Sequence, residues 1–263
     1  MPRTKRPRML VEERRRRIME ILEDQERVTV EELVPRFSVS AVTIRGDLDA
    51  LARVGAVIRS HGGALRRVES QEDVPITVKE TLHHAEKVRI GHAAAQMIRD
   101  GETIMLDSGT TTAEIARQIK FLKVQSLNVI TNALNIATEL ANLPHVRLIM
   151  IGGMLRQMSS SFSGPHAEQI LRGLHADRLF LGVDGLDPEI GLMTPDVLEA
   201  QLNAIMIQVS REVVVVADSS KFQRRSLSVI AKVDVVHKLI TDASVPPEIV
   251  AALKAHNVGV VIV

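Results

Sequence analysis

The stretch TIMLDSGTTTAEIA, residues 103–116, decides how the larger part of this chain folds. The apolar run TIML is typical of a buried strand that ends at Asp107, and the small, hydroxyl-rich residues Ser108–Thr112 are typical of a turn. The apolar face of the helix that follows consists of Ala113, Ile115, Ala116 and Ile119. A strand, a tight turn and a helix start make an anion site, because free N–H groups and the helix dipole point at the turn. We therefore expect an anion to bind at this turn.

The alternation of helix and strand continues from residue 85 to residue 263. The predicted helices are 85–99, 110–119, 133–142, 165–173, 196–209 and 246–255, and the predicted strands are 102–107, 127–131, 146–151, 178–183, 212–217, 236–241 and 258–263. Alternation of this kind indicates an α/β domain, in which helices cover both faces of a largely parallel, Rossmann-like sheet.

Small and polar residues follow the predicted strands at the points where they end. Asp107, Asn132, Asp184 and Asp218 each close an apolar run, and Gly152–Gly153 close another. Ligands bind outside the carboxyl ends of the strands in open α/β sheets, so these residues are candidates for one polar crevice. The alternative is that Asp and Asn only cap the helices or turns that follow.

The N-terminal part of the chain has the pattern of three helices and a hairpin. Helix one covers roughly 11–24, and TVEE from Thr29 is a capping box that starts a short second helix. Ser40 is a good cap for a third helix, whose predicted core stripe consists of Ile44, Leu48 and Leu51. This order predicts a winged helix-turn-helix domain over 11–66. Residues 67–84 are polar without a sustained period and are predicted to be a linker to the domain 85–263.

Composition and charge narrow the classes of function. The net charge is +1, but residues 1–69 hold 15 Lys+Arg against 11 Asp+Glu, and the first 17 residues hold 8 against 2. A basic end on a near-neutral body predicts a polyanion partner, although a solvated charged helix would have the same composition.

The sequence has no Cys, Trp or Tyr. Disulfides and thiolate metal sites are thereby excluded, and stacking on single-stranded nucleic acid is disfavoured. We expect a cytoplasmic protein with no membrane segment.

Several motifs resemble those of the DeoR family of bacterial transcriptional regulators. The segment VTIRGDLDALARVGAVIRSHGGAL, from Val42 to Leu65, resembles the helix-turn-helix signature of that family. The segments LDSGTTTAEIA, VITN, IGGMLR, GVDGL and ADSSKF resemble its C-terminal sensor domain, in that order. The segment MTPDVLEAQLNAIMI is similar to the branch that controls amino-sugar genes, such as the N-acetylgalactosamine repressors.

The resemblance implies a repressor that leaves its operator when a phosphorylated sugar binds a sensor domain similar in fold to ribose-5-phosphate isomerase. It implies that the phosphate lies on Ser108, Gly109, Thr110 and Thr111, and that Asp107, Asn132, Asp184 and Lys221 face the sugar. The full set of candidate effector-binding residues adds Gly152, Gly153, Gly185 and Asp218.

On the DNA side, Arg45 and Thr43 are the candidates for reading base edges, since arginine pairs bidentately with guanine. The remaining candidates for DNA contact are Arg14, Arg17, Thr29, Arg36, Ser38, Ser40, Gly46, Arg59 and His61. Gly46 departs from the family, which usually has a second basic residue there, and base preference at that point is open. Regulators of this design read paired half-sites as symmetric oligomers, so the expected partners are double-stranded operator DNA, a phosphorylated sugar and further copies of the chain.

Two rival functions are considered. An isomerase-like or deaminase-like enzyme fused to a DNA-binding domain could use Asp184, Asp187 and Glu189 as bases and His166 as an acid. A redox sensor that binds a dinucleotide is disfavoured, because no G-x-G-x-x-G follows a strand. No cluster of His, Asp and Glu has metal-ligand spacing, so we expect neither a metal nor a cofactor, and no catalytic residues.

Overall fold

The computed structural model describes residues 9–25, 27–60, 62–66 and 73–263. Residue contacts divide the chain into two compact units, one formed by residues 1–70 and 77–83 and the other by 71–76 and 84–263. The predicted candidate His61 lies outside the described residues.

The N-terminal unit is a helix-turn-helix followed by a β-hairpin. Its elements are α1 (Val11–Asp24), β1 (Arg27–Thr29), α2 (Val30–Phe37), α3 (Ala41–Arg53), β2 (Val57–Ser60) and β3 (Gly63–Arg66). The strands form an antiparallel sheet in the order β1-β3-β2. The three helices and the hairpin were predicted, but β1 was not. At three residues between two helices, β1 is too short to leave a periodic pattern.

The helix starts are fixed by the side chains that the sequence indicated. Thr29 Oγ1 accepts a hydrogen bond from the Glu32 amide at 3.2 Å, and the Thr29 amide donates to Glu32 Oε2 at 2.8 Å. This capping box lowers the pKa of Glu32, because the carboxylate accepts hydrogen bonds from the backbone and side chain of Thr29. Ser40 Oγ likewise accepts from the Thr43 amide at 3.1 Å. Ser38 ends α2 in the left-handed conformation, with a φ of 53°.

The predicted core stripe of α3 is confirmed, since Ile44, Leu48 and Leu51 are buried. On α1, the buried apolar side chains are Ile18, Met19, Ile21 and Leu22.

Arg14 is a correction to the predicted DNA contacts, because its side chain is only 5% exposed. Its Nε donates to Asp47 Oδ2 at 2.6 Å, and Arg15 Nε donates to the other oxygen of Asp47 at 3.1 Å. Arg14 lies one helical turn before Ile18 and therefore belongs to the buried face of α1. Its charge is used to hold α1 against α3 and is not available to DNA.

The predicted linker contains a short helix, α4 (Ile76–Lys79). Val74, Ile76 and Val78 are buried. This part of the chain is therefore packed. Its three apolar residues stand at every second position, which is too short an alternation to be recognised beside the polar stretch that precedes it.

The C-terminal unit is built on a seven-stranded sheet. Its helices are α5 (His84–Ala95), α6 (Thr110–Ile119), α7 (Leu134–Leu140), α8 (Pro165–Arg172), α9 (Val197–Gln208) and α10 (Pro247–Ala255). The strands of the main sheet are β4 (Thr103–Leu106), β5 (Leu127–Thr131), β6 (Val146–Met150), β9 (Ala176–Leu181), β12 (Ser210–Val216), β14 (Lys238–Thr241) and β15 (Gly259–Ile262). All neighbouring pairs are parallel, in the order β15-β14-β12-β9-β4-β5-β6.

Helices pack on both faces of this sheet, as predicted. Ile104 and Leu106 of β4 lie in one apolar cluster with Ile115 of α6, whereas Met105 lies in a second cluster with Leu202 of α9. Successive strand residues point to opposite faces, so one strand contributes to two cores.

Two smaller sheets were not predicted. The strands β7 (Met154–Arg156) and β8 (Ser161–Ser163) form a hairpin, called here the β7–β8 hairpin. The strands β10 (Gly185–Asp187), β11 (Gly191–Thr194) and β13 (Ser228–Ala231) form an antiparallel sheet. These strands have three or four residues each, too few for an alternation to stand out from a loop.

Candidate functional site

The strand order brings the polar strand ends together. The strands β5, β4, β9 and β12 are consecutive neighbours, and they are followed by Asn132, Asp107, Gly182–Asp184 and Asp218. Since carboxyl ends of parallel strands share one edge of the sheet, these residues line one edge.

Asp107 organises the predicted turn at Ser108–Thr112. Its Oδ1 accepts hydrogen bonds from the Gly109 amide at 3.0 Å and from Thr112 Oγ1 at 2.8 Å. Its Oδ2 accepts from the Gly182 amide at 3.0 Å, which ties the turn to the end of β9. A Cβ atom built on Gly182 would lie 3.4 Å from the Gly109 Cα, so the two loops approach closely at a pair of glycines.

Burial raises the pKa of Asp107 to about 6, and the nearby Asp184 carboxylate adds to the increase. The hydrogen bonds from Thr112, Gly109 and Gly182 act in the opposite direction, because they favour the ionised form. Asp107 thus faces into the fold and shapes the turn.

The start of α6 is available to an anion. Gly109 is its N-cap and offers no side chain, so the amides of the first turn have no intrahelical acceptor. Among the described residues, the hydroxyls of Ser108, Thr110 and Thr111 have no hydrogen-bond partner, in contrast to that of Thr112. Free amides, three hydroxyls and the positive end of a ten-residue helix are groups that can bind a phosphate-sized anion.

Asn132 is buried, and only one of the two polar atoms of its side-chain amide forms a hydrogen bond with a described residue. Its Nδ2 donates to the Phe162 carbonyl at 3.0 Å, which holds the side chain against β8. Its Oδ1 is buried and has no hydrogen-bond partner among the described residues. Because an unsatisfied buried acceptor is costly, a donor from a bound ligand would stabilise this side chain.

The three other candidate effector-binding glycines, Gly152, Gly153 and Gly185, differ in what surrounds them. Gly153 has a φ of +141°, and a Cβ atom there would lie 2.6 Å from the Ser163 carbonyl oxygen. A Cβ atom on Gly185 would lie 2.2 Å from the Arg224 carbonyl oxygen. Close backbone packing therefore explains both glycines without a ligand. Of these three glycines, only Gly152 has open space around its Cβ position.

Lys221 lies in a short 3₁₀ turn, Ser219–Lys221, that follows Asp218. Asp218 Oδ1 accepts from the Ser220 amide at 3.1 Å and caps this turn. The next residue, Phe222, pairs with Leu186 of β10, two residues after Asp184. The loop with Lys221 is thereby held beside the loop with Asp184. Within the described part of the chain, the Lys221 ammonium has no hydrogen bond or ion pair.

On the N-terminal unit, α3 presents a free arginine. Arg45 is exposed, and no described residue binds its guanidinium. Gly46 beside it is exposed, and a Cβ atom there would meet nothing within 4 Å. Thr43 Oγ1 lies 2.9 Å from Ser40 Oγ. The exposed face of α3 is therefore open at Arg45 and unobstructed at Gly46.

The other basic candidates are held to different degrees. Arg36 is exposed and lines a groove with Arg16 and Arg17 of α1. Arg17 forms a half-exposed ion pair with Glu13 at 3.1 Å. Arg59 donates to Asp49 Oδ1 at 2.7 Å and to the Gly63 carbonyl. Arg59 thus braces the hairpin against α3, and a DNA phosphate would have to compete with these acceptors.

Three features of the site were missed in the sequence. Gly182 contacts Asp107, and the signal was available, because it is the first small residue after β9. Asp242 follows β14 and accepts from the Ser219 amide at 2.6 Å, which fixes the Lys221 loop. Arg156 binds three carboxylates, those of Asp73, Asp196 and Glu199, and only the fold brings these together.

His166, the acid of the rival enzyme, forms no hydrogen bond or ion pair with another described residue. His166 is exposed at the start of α8. Asp187 Oδ1 accepts from the Glu189 and Ile190 amides at 2.9 and 3.2 Å, and therefore shapes the turn between β10 and β11.

Two properties of the described ranges concern metal binding and membranes. No group of three or more His, Asp or Glu side chains there could hold a metal ion. None of the helices found there combines the length and the apolar composition needed to cross a membrane.

Family models match both units of the chain. Residues 14–70 match the DeoR-like helix-turn-helix domain, and residues 82–243 match the DeoR C terminal sensor domain. These matches agree with the fold class predicted from the sequence.

Related proteins extend over nearly the whole chain. A protein of Escherichia coli O157:H7 assigned as the aga operon transcriptional repressor is 40% identical over 253 residues, which are 95% of this chain and 93% of the relative. The glycerol-3-phosphate regulon repressor of Escherichia coli (strain K12) is 33% identical over 92% of this chain and 94% of its own length.

Solved structures are more distant. The ribose 5-phosphate isomerase A of Methanocaldococcus jannaschii is 18% identical, with a TM-score of 0.38, over 52% of this chain and 53% of the isomerase.

Proposed function

Because this chain belongs to the DeoR family of transcriptional regulators, we propose that it is a repressor of carbohydrate genes that a phosphorylated sugar releases from its operator. The observation that carries the proposal is the pairing, in one chain, of a helix-turn-helix with a polar crevice whose groups suit a phosphorylated ligand. The crevice offers the free start of α6 for the phosphate and the unpartnered Asn132 Oδ1 for a sugar hydroxyl.

For DNA, α3 is the recognition helix, and Arg45 reads a base edge in the major groove. Its guanidinium is exposed and unbound among the described residues, so no internal contact must break before it reaches DNA. Thr43 stands two positions earlier, at the start of the helix. Arg17 and Arg36 contact phosphates, a role that suits exposed guanidinium groups along one groove.

The residues Thr29, Ser38 and Ser40 have a structural role in this scheme. Thr29 caps α2, Ser38 ends α2 and Ser40 caps α3. Their effect on DNA binding is therefore indirect, because they fix where these helices start or end. Gly46 leaves a gap on the recognition helix where a side chain could reach DNA.

For the effector, the phosphate sits on Ser108, Gly109, Thr110 and Thr111, as the resemblance implied. Lys221 supplies the countercharge, because its ammonium is a point charge on a flexible stem in the loop beside Asp184. Asp184 then faces the sugar hydroxyls. Gly152, with open space at its Cβ position, allows the ligand to approach the loop after β6.

The repressor of the aga operon among the relatives supports an amino-sugar phosphate as the effector. The glycerol-3-phosphate regulon repressor supports the broader class of small phosphorylated carbon sources. We propose that the effector is an amino-sugar 6-phosphate, and other sugar phosphates serve as the comparison.

The protein senses this ligand and does not convert it. Both carboxylate oxygens of Asp107 already accept hydrogen bonds, one from the turn and the other from Gly182, and His166 is an exposed histidine on another helix. The relatives named as transcriptional repressors support the same reading. The protein acts on DNA in the cytoplasm as a homo-oligomer, because helix-turn-helix regulators read paired half-sites.

The test is a thermal-shift screen of the full chain. The ligands are N-acetylgalactosamine 6-phosphate, glucosamine 6-phosphate, ribose 5-phosphate, glycerol 3-phosphate, the unphosphorylated sugars and inorganic phosphate. An effector at 100 times its Kd stabilises the protein by about 2.7 kcal/mol, or roughly 5–10 °C. We expect one phosphorylated sugar to reach this shift, and its unphosphorylated form to give none.

Lys221→Ala is the matched variant, and Lys254→Ala, at the last turn of α10, is the control. The first should lose most of the shift and the second should keep it. An equal response to sugars with and without phosphate would contradict the proposed site.

A further inference from the structure

The β7–β8 hairpin holds the segment that leads toward the N-terminal unit. The Ile76 amide donates to the Met158 carbonyl at 2.7 Å, and Arg156 Nη2 binds the Asp73 carboxylate. Residues 71–76 group with the C-terminal unit, whereas 77–83 group with the N-terminal unit. The hairpin therefore grips the chain just before the position at which it passes from one unit to the other.

Arg156 is the centre of this grip. Its Nε lies 3.1 Å from Asp196 Oδ2, and its Nη1 lies 3.0 Å from Glu199 Oε2. Nη1 also donates to Ser159 Oγ at 3.0 Å. Three carboxylates surround one guanidinium that is 17% exposed. A planar guanidinium with several rigid donors can serve all three carboxylates at once.

The other strand of the hairpin is bound to the proposed effector site. The Phe162 amide donates to the Asn132 carbonyl at 2.8 Å, and Asn132 Nδ2 donates back to the Phe162 carbonyl at 3.0 Å. The Leu134 amide donates to the Ser160 carbonyl at 2.8 Å. Across the hairpin, Phe162 pairs with Leu155, the residue before Arg156.

We propose that the β7–β8 hairpin is a relay between the sensor crevice and the interdomain segment 73–76, with Asn132 as its input and Arg156 as its output. This inference rests on the proposed function, since it names how that site is coupled to DNA. A ligand donor that binds the free Asn132 Oδ1 changes the side chain that clamps β8, and β7 passes the change to Asp73 and Ile76. A ligand shifts such an equilibrium only through its different affinity for the two arrangements.

The first experiment needs no ligand and no DNA. Hydrogen–deuterium exchange is measured in the full chain over the peptide 73–79, which contains the Ile76 amide. Arg156→Ala and Asn132→Ala should each speed exchange there about fivefold or more, the factor that corresponds to one lost hydrogen bond. Asp73→Asn should have a similar effect and leaves Arg156 bound to Asp196 and Glu199.

Two variants serve as controls. Asn128→Ala changes β5, the strand that Asn132 follows, and removes a hydrogen bond to Thr103 Oγ1. Arg211→Ala removes an exposed arginine at the amino end of β12, away from the crevice. Both should leave exchange at 73–79 within twofold. Unchanged exchange in Asn132→Ala, or an equal change in Asn128→Ala, would overturn the relay, whatever the effector is.

The second experiment measures coupling. Operator affinity is titrated with and without N-acetylgalactosamine 6-phosphate, on a duplex selected by the wild-type chain from random DNA. In wild type the sugar phosphate should weaken operator binding about 5–150-fold, and in Arg156→Ala less than twofold. Each ligand alone should bind the variant as it binds wild type.

The two experiments separate the two claims. A wild-type chain that ignores every sugar phosphate would contradict the proposed function, while the exchange data would still decide the relay. An Arg156→Ala chain that shows the wild-type ratio would contradict the relay and leave the proposed function standing.

Discussion

Replacing Asp107 by asparagine should change the pH dependence of stability. Burial raises the pKa of this carboxyl from 3.8 to about 6 in the folded chain. The native state then binds more protons than the unfolded state between these two values, so stability falls as the pH rises through that window. Over the whole window the shift corresponds to ~3 kcal/mol, at 1.36 kcal/mol for each pKa unit.

Asparagine removes this titration but also disturbs the turn. The nitrogen of the new side-chain amide would face either the Gly182 amide or the Gly109 amide, both of which are donors. One donor would then be left unpaired, at a cost of ~1–3 kcal/mol. We therefore expect Asp107→Asn to be less stable than wild type near pH 4. Between pH 4 and pH 7 the difference should move by ~2–3 kcal/mol in favour of the variant, or roughly 5–10 °C in Tm.

The assay is thermal unfolding of both proteins from pH 4 to pH 8, with the difference plotted against pH. Asp100→Asn is a control of opposite sign, since hydrogen bonds from the Ser126 and Gln125 amides lower the pKa of Asp100. Its difference should stay constant from pH 4 to pH 8, because a carboxyl group with a lowered pKa contributes stability that is lost only as the pH falls below the unfolded value of 3.8. A pH-independent difference for Asp107→Asn would refute the reasoning, because it would mean that Asp107 titrates alike in both states.

Three further substitutions test the other assignments. Arg14→Ala should destabilise the N-terminal unit by about 3 kcal/mol, because it leaves the buried Asp47 with Arg15 alone, whereas Arg17→Ala should cost less than ~1 kcal/mol in urea unfolding. Arg45→Ala should lose ~1–3 kcal/mol of binding free energy on the selected operator but much less on random duplex DNA. Equal losses on both would mean that Arg45 contacts the DNA phosphate backbone and not a base. Gly182→Ala should lower effector affinity in calorimetry, because its Cβ would lie 3.3 Å from Asp107 Oδ2, and an unchanged Kd would show that the loops adapt.

The larger elements were predictable because each carries several local signals at once. Helix α6 and strand β5 begin and end where the sequence indicated, since apolar periodicity, turn residues and the Asp or Asn at the strand end agree. The capping box at Thr29 was also readable, because both partners lie within four residues. Proximity of the strand ends followed from parallel topology alone.

The errors come from contacts between distant residues. Arg14 was placed on DNA because four arginines in a row signal a basic surface, but its partner Asp47 lies 33 residues away. Its spacing from Ile18 was the one local hint that it faces the core. The β7–β8 hairpin and the grip of Arg156 on Asp73 leave no period in the sequence, and only the folded sheet brings those residues together.

The most direct test of the account is operator affinity measured by fluorescence anisotropy, with the sugar phosphate that stabilises the protein titrated into wild type and Lys221→Ala. Coupling free energies of ~1–3 kcal/mol predict that wild type loses 5–150-fold in operator affinity as the ligand saturates. Lys221→Ala should bind the operator as wild type does and should need far more sugar phosphate for release. Release of both proteins at the same ligand concentration would contradict the assignment of the crevice, and no release of wild type by any sugar phosphate would contradict its role as a sensor.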